Sequence, residues 1–439
     1  MLFLRFVVNM EHIILYVLCL SLLNGLTAHI CTHTLNISFK LQASSSKIRF
    51  KMEDKKQRDS VSFAAPVVGT VGFGKNWERR RQTMAMFSCS LYFILPMVLT
   101  CWISVMFLLY IKRFTAVPVA CYLGYVFLID RSGTNGLRSP ILRAFRSWWA
   151  HACDYLPLLL VKTANLDPDK NYVMGYHPHG IISVGCFCAF ATDGARTLSL
   201  VTDDDKPDNG DDSRGFSSLF PGIDRRVITL PQNFMTPFLR EYFLCMGAVD
   251  SAKETFRNVL ARKGTALVVV VGGAAESMIV QNHSIDLILE KRRGFVREAI
   301  LANACLVPVI GFGESDLYQI FQTDETTWIA RIQDMVKRAT GIAMPIFQGR
   351  SIFLKEFGVM PNRTPVCVVV GAPIEPPELK DRASFKPEID RKTDKPLNKD
   401  GEVLIEWHEK YMKALKELYK THEDAKWNLP GRQSMTIVK

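Results

Sequence analysis

The sequence lacks the local signatures of several enzyme classes. Its 11 cysteines include no Cys-x-x-Cys pair, and the pair at Cys186 and Cys188 has no further cysteines at metal-site spacing. The common zinc and dithiol motifs are therefore excluded. No Gly-x-Ser-x-Gly element occurs either, which disfavours a lipase with a nucleophile elbow. Because the cysteines are scattered among apolar residues, we predict reduced core thiols and a reducing compartment for most of the chain.

Acidic residues are fewer than basic ones. The chain has 43 acidic and 54 basic residues, a formal net charge of +11, and 48% hydrophobic residues in a length of 439. This size and composition support a substantial globular core and exclude a disordered chain. The positive charge favours an acidic partner such as nucleic acid, an anionic membrane surface or a phosphorylated substrate. Long uncharged stretches favour the membrane, so we expect no nucleic-acid partner.

Charged side chains are absent from residues 83–111 and again from residues 114–129. About 20 apolar residues cross a bilayer as a helix, so the first run is long enough to span and the second is short. Arginines precede these runs at 79–81 and follow them from Arg131 onward, which places both outer ends in the cytosol. We therefore predict a transmembrane hairpin over residues 83–130, with a buried helix pair as the alternative.

Residues 1–82 are predicted to form an N-terminal extension. Its first part, to about Ala28, has the outline of a secretory signal or a short anchor. The segment 39–82 that follows is polar, basic and serine-rich. An extension without a structural role is an equal alternative. The rest of the chain, residues 131–439, is assigned to one α/β domain.

Short apolar runs alternate with helix-period stretches along this domain. The alternation predicts an α/β fold with a mostly parallel sheet covered by helices. Helices are predicted within residues 285–304 and, as a closing amphipathic helix, over residues 403–418. His408 and His422, in or just after that charged helix, are expected at the surface. The predicted strands are Asn171–Met174, Arg226–Leu230, Ala266–Val271, Leu306–Gly311 and Val366–Gly371.

Two polar motifs directly follow predicted strands. His177-Pro178-His179-Gly180 follows the first strand, and Gly272–Glu276 follows the third. Ligands and catalytic groups usually lie at such strand ends in α/β proteins. A histidine and a carboxylate placed there can act as a general base and its orienting partner. A helix over residues 181–190 would point its free N–H groups toward the motif, where they can stabilise an oxyanion or attract a phosphate.

A metal site and a hydrogen-bonded structural pair are the alternatives for His177 and His179. A zinc site needs further protein ligands, and the other histidines form no nearby ligand motif. We therefore expect no metal. The acid–base role has an added physical basis, because Pro178 disfavours the helical region for His177. Gly180 permits a tight turn and the close approach of a substrate.

Five motifs occur in the same order as in a known enzyme family. Each alone is weak, whereas the ordered set resembles the type-2 diacylglycerol acyltransferase family, which includes monoacylglycerol and wax-alcohol acyltransferases. The resemblance extends from about Thr83 to Pro430. The motifs are Tyr176–Gly180, Leu239–Tyr242, Gly272–Ser277, Lys291–Val296, and Leu306–Val309 with Gly313-Glu314.

The resemblance implies a glycerolipid-acyltransferase-like fold and transfer of a fatty acyl group from acyl-CoA to the hydroxyl of a neutral lipid. Acyl-CoA is then a co-substrate, and no cofactor is expected. It also implies a multi-pass protein of the endoplasmic reticulum membrane with a cytosolic acyltransferase domain over residues 131–439. Diacylglycerol is the expected acceptor, with 2-monoacylglycerol or a long-chain alcohol as alternatives. An inactive lipid-binding or tethering protein is the alternative from another class; lipid-droplet association and a homo-oligomer stay open.

The wider glycerolipid acyltransferases carry a His-x4-Asp motif that is absent here. Ile182 and Val184 stand five residues after the two histidines. The resemblance assigns the missing carboxylate to Glu276. We predict that His179, or alternatively His177, removes the proton of the acceptor hydroxyl while Glu276 orients the imidazole.

The approach to the predicted base is rich in glycine. Gly180, Gly272 and Gly273 are expected to form the substrate approach and the oxyanion site. Direct attack on the thioester is preferred to an acyl-enzyme, because no serine or cysteine stands in a nucleophile context. The apolar setting of Cys186 and Cys188 predicts inert thiols.

A basic cluster is the candidate for binding the phosphates of coenzyme A, since guanidinium groups suit bidentate phosphate contacts. A solvated helix face is the alternative. Arg350 joins the set from the resemblance, although Gln348 and Ser351 depart from the family's His-Gly-Arg-Gly there. The clustered residues are Lys291, Arg292, Arg293 and Arg297.

Overall fold

A computed structural model of the chain describes residues 77–90, 113–201, 214–236, 239–321, 346–352, 358–390, 393–423 and 434–438, with the single positions 331 and 335. Residues 1–76 of the predicted extension and residues 91–112 of the predicted hairpin lie outside this set. Within the described residues, no helix combines the length and apolar character that a bilayer crossing requires.

The elements are labelled in chain order. The helices are α1 (77–90), α2 (Arg113–Gly124), α3 (Ser132–Asn135), α4 (Arg146–Tyr155), α5 (Val184–Cys186), α6 (Phe216–Leu219), α7 (Pro231–Met235), α8 (Leu239–Cys245), α9 (Lys253–Leu260), α10 (Gly273–Glu276), α11 (Gly294–Leu301) and α12 (Lys399–His422). The strands are β1 (Leu159–Lys162), β2 (Tyr172–His177), β3 (Arg196–Ser199), β4 (Asp224–Thr229), β5 (Ala248–Asp250), β6 (Thr265–Val270), β7 (Ser284–Ile288), β8 (Cys305–Phe312), β9 (Gln319–Phe321), β10 (Ile346–Gln348), β11 (Cys367–Val370) and β12 (Ser434–Val438). Single π-helical turns follow α2 and α5 at Tyr125–Ile129 and Phe187–Ala191, and 3-10 turns occur at Ile141–Ala144 and Glu314–Asp316.

The core of the fold is an 8-stranded sheet with the order β3-β1-β11-β8-β2-β6-β4-β5. All neighbouring strands are parallel except β11 and β8, which are antiparallel. The sheet therefore consists of two parallel blocks of opposite direction, joined at that pair. The predicted α/β class with a mostly parallel sheet is confirmed.

All five predicted strands are present, as β2, β4, β6, β8 and β11. The prediction of a helix within residues 285–304 is wrong for its first part. Residues 284–288 form β7, which pairs in parallel with β12, and only the second part is helical, as α11. The strand depends on a partner that the chain supplies about 150 residues later, as the Ser284–Ser434 register shows. A local pattern therefore did not reveal it.

Side chains of the central strands point alternately to the two faces of the sheet, and this divides the core into two layers. Tyr172, Met174 and Tyr176 of β2 pack into one apolar layer with α4 and the helical turns at 184–191. Val173 of the same strand packs into the other layer, with α11 and α12. Successive side chains of a strand point to opposite faces, so these layers lie on opposite sides of the sheet.

The closing amphipathic helix is confirmed as α12, and its apolar face lies against the second layer. Trp407, Tyr411 and Leu415 are at most 3% exposed. The expectation of surface positions for His408 and His422 is wrong, because these side chains are 1% and 6% exposed. Both lie at helical spacing from buried residues of α12, since His408 is three residues before Tyr411 and His422 is seven residues after Leu415.

Candidate active site

The predicted motifs meet at one edge of the sheet. β8, β2 and β6 are adjacent and parallel, so their carboxyl ends face the same way. His177–Gly180 leaves β2 there, Gly272–Glu276 follows β6, and Gly313-Glu314 follows β8. This edge is the usual place for ligands in such sheets.

His177 is the last residue of β2 and points into the layer of α12. Its side chain is 1% exposed, and Nε2 lies 2.9 Å from the hydroxyl of Tyr411. That hydroxyl donates its single hydrogen to the carbonyl of Gly175 at 3.1 Å, so Nε2 of His177 carries the hydrogen it shares with Tyr411. Burial lowers the pKa of His177 to about 3, which keeps the ring neutral. Its Nδ1 is buried without a hydrogen-bond partner among the described residues.

Gly175 is required for this contact between β2 and α12. A β-carbon at that position would overlap the hydroxyl of Tyr411. The absence of a side chain lets the hydroxyl approach the strand closely enough to bond both the carbonyl of Gly175 and the ring of His177. Sequence reasoning missed Tyr411 as a site residue, because its only signal was its place in the apolar stripe of α12.

His179 lies at the open edge instead. Its side chain is partly buried, and its backbone N–H donates to Glu276 Oε2 at 2.7 Å. Nδ1 lies 3.1 Å from the carbonyl of Gly180, and a carbonyl only accepts, so Nδ1 carries the hydrogen. Over the part of the chain that the structure describes, no hydrogen bond engages Nε2. The unprotonated Nε2 of a neutral ring is therefore available to accept a proton.

Glu276 holds the backbone of the motif rather than an imidazole. It is 1% exposed, and its second oxygen, Oε1, accepts from the N–H of Ile288 at 2.9 Å. Burial raises the pKa of Glu276 to about 7, against the opposing effects of the two N–H donors and Arg292. The predicted contact between this carboxylate and the His179 ring is not formed. Nδ1 of the ring bonds the carbonyl of Gly180 instead. Glu276 thus joins the turn that follows β2 to the end of β7.

Glu314 is a second buried carboxyl at the same edge, at 2% exposure. Its Oε2 accepts from the hydroxyl of Tyr176 at 2.7 Å and from the N–H of Gly185 at 2.9 Å. Burial raises the pKa of Glu314 to about 7. The expected free N–H groups at the start of the helix after the motif are thus engaged in part, because Glu314 accepts the one from Gly185. Sequence reasoning quoted Gly313-Glu314 as a motif without giving it a role, although its place directly after a core strand was the available signal.

The glycines shape the space around His179. Gly180 has φ +59°, and a β-carbon there would lie 2.8 Å from Glu314 Cγ. At Gly272, a β-carbon would overlap the carboxylate of Glu276. Gly273 has φ +60° with no described atom within 4 Å of the position of a β-carbon. Gly180 and Gly272 thus permit the close packing of the two carboxyls, and Gly273 lies beside open space.

The basic cluster is only partly available to a ligand. Both guanidinium nitrogens of Arg293 bond the two carboxylate oxygens of Asp394, at 2.6 and 2.7 Å. Arg297 lies 3.4 Å from Glu298. Lys291 and Arg292 are exposed, and Arg292 Nη2 lies 3.5 Å from the carbonyl of Gly272. Arg292 is therefore the member of the cluster that reaches the motif at the end of β6.

Arg350 is not part of that cluster. Its guanidinium carbon lies 6.0 Å from the ring centre of Tyr155, and Tyr155 belongs to the layer of α4. The neighbours of the basic cluster, Phe295 and Val296, belong to the opposite layer. The structure therefore separates Arg350 from the residues with which the sequence grouped it.

The two cysteines that follow the histidine motif in the sequence are buried. Cys186 and Cys188 are 1% and 2% exposed. Burial holds the pKa of the Cys186 thiol well above its usual value, and the hydrogen bond with Cys153, together with burial, does the same for Cys188. The prediction of inert thiols is in line with this. Across the described ranges, no group of three or more His, Cys, Asp or Glu side chains is arranged to hold a metal ion.

Comparisons with known proteins identify relatives along most of the chain. Diacylglycerol O-acyltransferase 2A of Umbelopsis ramanniana is 35% identical over 350 residues, covering 79% of this chain and 87% of that protein. Diacylglycerol O-acyltransferase 2 of Dictyostelium discoideum is 34% identical over 79% of this chain and 93% of its own length. The 2-acylglycerol O-acyltransferase 1 of Bos taurus is 32% identical over 81% of this chain and 95% of its own length.

Among solved structures, the 1-acyl-sn-glycerophosphate (LPA) acyltransferase PlsC from Thermotoga maritima matches with 12% identity and a TM-score of 0.34, over 80% of this chain and 100% of that chain. The family profile described as diacylglycerol acyltransferase matches residues 106–202 and 209–437. That match spans well over half of the sequence and includes the whole edge occupied by His179, Glu276 and Glu314. The chain belongs to the diacylglycerol acyltransferase family.

Proposed function

We propose that this protein transfers a fatty acyl group from acyl-CoA to the free hydroxyl of diacylglycerol, forming triacylglycerol, with His179 as the general base. The observation that carries the role of His179 is its tautomer. Nδ1–H is bonded to the carbonyl of Gly180, which leaves Nε2 with a lone pair at the partly exposed edge of the sheet. The acceptor is the one in the names of the relatives, and the acyl-CoA donor is implied by the family.

The reaction needs one proton acceptor and one proton donor. Nε2 of His179 takes the proton of the acceptor hydroxyl as its oxygen attacks the thioester carbonyl. The new C–O ester bond then replaces the C–S bond, and the proton passes from the imidazolium to the sulfur of coenzyme A. Removal of a positioned general base typically lowers the rate about 10²–10⁴-fold.

His177 is the weaker candidate for the base. Its ring is 1% exposed, and Tyr411 holds its Nε2 in the layer opposite Glu314. Burial lowers the pKa of His177 to about 3 and also lowers that of His179, so the partly exposed position and the free Nε2 of His179 favour it as the base. In this proposal His177 anchors the end of β2, and Glu276 fixes the backbone from which His179 projects.

Membrane attachment belongs to the proposal as well. The uncharged runs at 83–111 and 114–129 are assigned to a hairpin in the endoplasmic reticulum membrane, with the domain from residue 131 in the cytosol. An exposed groove of about 480 Å³ beside this segment supports contact with lipid, because aromatic rings and arginines line it together. Its lining residues are Trp77, Arg80, Arg81, Met84, Phe145, Ser147, Trp148 and His151.

Monoacylglycerol is a second candidate acceptor. The observation that favours it is the similarity to the bovine 2-acylglycerol O-acyltransferase 1, which covers 95% of that protein at 32% identity. The two acceptors differ by one acyl chain and present the same kind of hydroxyl to His179. The proposed base and the direction of proton transfer are the same for both.

The test uses cells that cannot make neutral lipid. Membranes containing the full chain receive labelled oleoyl-CoA with diacylglycerol, monoacylglycerol or a long-chain alcohol in turn, and the products are separated by chromatography. Label in triacylglycerol from diacylglycerol supports the proposal, and label only in diacylglycerol selects the second acceptor. The variant His179→Ala should lose at least about 10²-fold in rate. Ester formation at the parental rate by that variant excludes His179 as the base.

A further inference from the structure

Two arginines share one aromatic ring on the side of the sheet opposite the basic cluster. The guanidinium carbon of Arg363 lies 4.4 Å from the ring centre of Tyr155, and that of Arg350 lies 6.0 Å from it. Tyr155 is fully buried, and its hydroxyl donates to the carbonyl of Pro361 at 2.8 Å. The ring is thus a fixed platform against which both cations rest.

The backbone around both arginines is held in place. Arg350 and Met360 exchange two backbone hydrogen bonds, at 2.8 and 2.9 Å. Gly349 permits this pairing, because a β-carbon there would overlap the carbonyl of Met360. Arg363 is fixed at its tip, where Nη1 donates to Gln82 Oε1 at 2.6 Å and Nη2 lies 3.4 Å from Thr83 Oγ1. Helix α1 is therefore one wall of the arrangement.

Among the residues that the structure describes, no carboxylate neutralises the charge of this pair. No carboxylate lies within ion-pair distance of Arg350 or Arg363 in the described ranges, and Nε of Arg350 is buried without a hydrogen-bond partner there. Other partly buried arginines are paired: Arg214 contacts Asp154 at 3.0 Å, and Arg293 contacts Asp394 at 2.6 Å. Arg79 adds a further positive charge near Arg363, since it lies one helical turn before Thr83 on α1.

Electrostatics agree with this geometry. Burial lowers the pKa of the Arg363 guanidinium, and the charges of Arg79 and Arg350 lower it further. Holding like charges together at partly buried positions is unfavourable without an anion. A bound anion would remove this repulsion and bond the free guanidinium N–H groups.

We propose that Arg350 and Arg363, with Arg79 at the rim, form a binding site for a phosphate group. Guanidinium groups in fixed positions suit the geometry of phosphate oxygens. The phosphate comes from the coenzyme A part of the acyl donor or from a phospholipid headgroup at the membrane beside α1. The first source rests on the proposed function. If coenzyme A is the source, its phosphates bind at Arg350 and Arg363 and not at Arg293, whose guanidinium is already bonded to Asp394.

The location favours a role close to the reaction. Tyr318 packs in the same layer as Tyr155. Burial raises the pKa of Tyr318, and the nearby charge of Glu314 raises it further. The arginine pair and the Tyr176–Glu314 contact therefore lie on one side of the sheet.

The test measures binding to the detergent-solubilised full chain in the His179→Ala background, so the result does not depend on activity. The variants are Arg350→Gln and Arg363→Gln, and Arg257→Gln on the exposed face of α9 removes one positive charge as the matched control. The probes are labelled oleoyl-CoA, labelled oleoyl-pantetheine, which lacks the adenosine phosphates and the pyrophosphate, and phosphatidylcholine vesicles with or without phosphatidic acid. The loss of one charge-assisted contact weakens binding roughly tenfold or more.

Two outcomes support the site and identify the source. Weaker binding of oleoyl-CoA in both glutamine variants, with oleoyl-pantetheine and the control unchanged, identifies coenzyme A. Weaker binding to phosphatidic acid vesicles, with oleoyl-CoA unchanged, identifies a headgroup. Unchanged binding of all probes overturns the site, as does an equal loss for both thioesters. An inactive parent that binds oleoyl-CoA through these arginines would contradict the proposed function while leaving the site intact.

Folding is controlled by a second pair of variants and a second measurement. Arg350→Lys and Arg363→Lys keep the charge but lose the bidentate geometry, so they should bind oleoyl-CoA with intermediate strength. In the parent, inorganic pyrophosphate should displace labelled oleoyl-CoA but not oleoyl-pantetheine. If pyrophosphate displaces neither thioester nor the phosphatidic acid vesicles, no phosphate site exists.

Discussion

Nε2 of His177 lies 2.9 Å from the hydroxyl of Tyr411, which also donates to the carbonyl of Gly175 in the same strand. The contact joins residues 234 positions apart. It ties the closing helix α12 to the strand that ends in the histidine motif. The direction of the His177 ring, and with it the path of the chain to His179, depends on this helix.

Removal of the Tyr411 hydroxyl should affect both stability and activity. Tyr411→Phe leaves the buried Nε2–H of His177 without its acceptor and removes the hydrogen bond from Tyr411 to the carbonyl of Gly175, which costs about 1–3 kcal/mol of unfolding free energy. We expect kcat for acyl transfer to fall more than KM for oleoyl-CoA rises, because the change displaces the motif and not the donor site. Tyr172→Phe, which removes a buried hydroxyl bonded to Asp167 at 2.8 Å, is the control and should lower stability without the loss in kcat. Equal kinetics in the two variants would contradict the positioning role.

A matched pair of glycine substitutions separates backbone strain from crowding. Gly180 and Gly273 have nearly the same positive φ, +59° and +60°, so alanine at either position carries the left-handed penalty of roughly 1–2 kcal/mol. At Gly180 the new β-carbon meets Glu314 Cγ at 2.8 Å, whereas at Gly273 no atom of the described residues lies within 4 Å of it. Gly180→Ala should therefore lower the thermal unfolding midpoint clearly more than Gly273→Ala. The same midpoint for both variants would show that Glu314 does not pack against the turn.

The buried carboxyl of Glu314 should make stability depend on pH. Its pKa is raised from 4.5 to about 7 in the folded chain, so between these values the folded state holds a proton that the unfolded state releases. Stability from this group is present below pH 4.5 and falls as pH rises to about 7, by about 1.4 kcal/mol per unit of pKa shift.

The measurement compares unfolding free energies of the parent and Glu314→Gln across that pH range. The advantage of the parent over the variant should shrink by about 2–3 kcal/mol between pH 4.5 and pH 7. Glu417→Gln, which removes a carboxylate from an exposed position on α12, controls for the change in total charge. A constant difference between parent and Glu314→Gln would show that the carboxyl titrates alike in both states.

We expect Arg293 to stabilise the fold through Asp394 and not to bind the phosphates of coenzyme A. Its guanidinium bonds both oxygens of Asp394, and the pair is partly exposed, at 15% and 40% for the two side chains. Arg293→Gln should therefore cost at most about 1 kcal/mol of stability and leave KM for oleoyl-CoA at the parental value. Asp394→Asn should have the same effect on stability. A raised KM in Arg293→Gln alone would restore the sequence-based expectation of a phosphate contact.

Much of the scaffold was predictable because it depends on local patterns. Apolar runs identified β2, β4, β6, β8 and β11, and the position of polar residues directly after such runs identified the site edge. The strand β7 was missed, because its partner β12 comes from the end of the chain. His408 was expected at the surface, because the sequence of a charged helix does not show which of its polar residues will face a sheet.

The sequence by itself determined the family, the α/β scaffold and the place of the two motifs at strand ends. Parallel neighbours necessarily bring such ends to one edge. Only the tertiary structure decided what each polar group contacts. The two-residue period of β2 sends Tyr176 to Glu314 and His177 to Tyr411 on opposite faces, and His179 projects beyond the strand. Glu276 bonds a backbone N–H instead of a ring, because the packing of strand ends, which no local pattern encodes, sets the distance between side chains that are far apart in the chain.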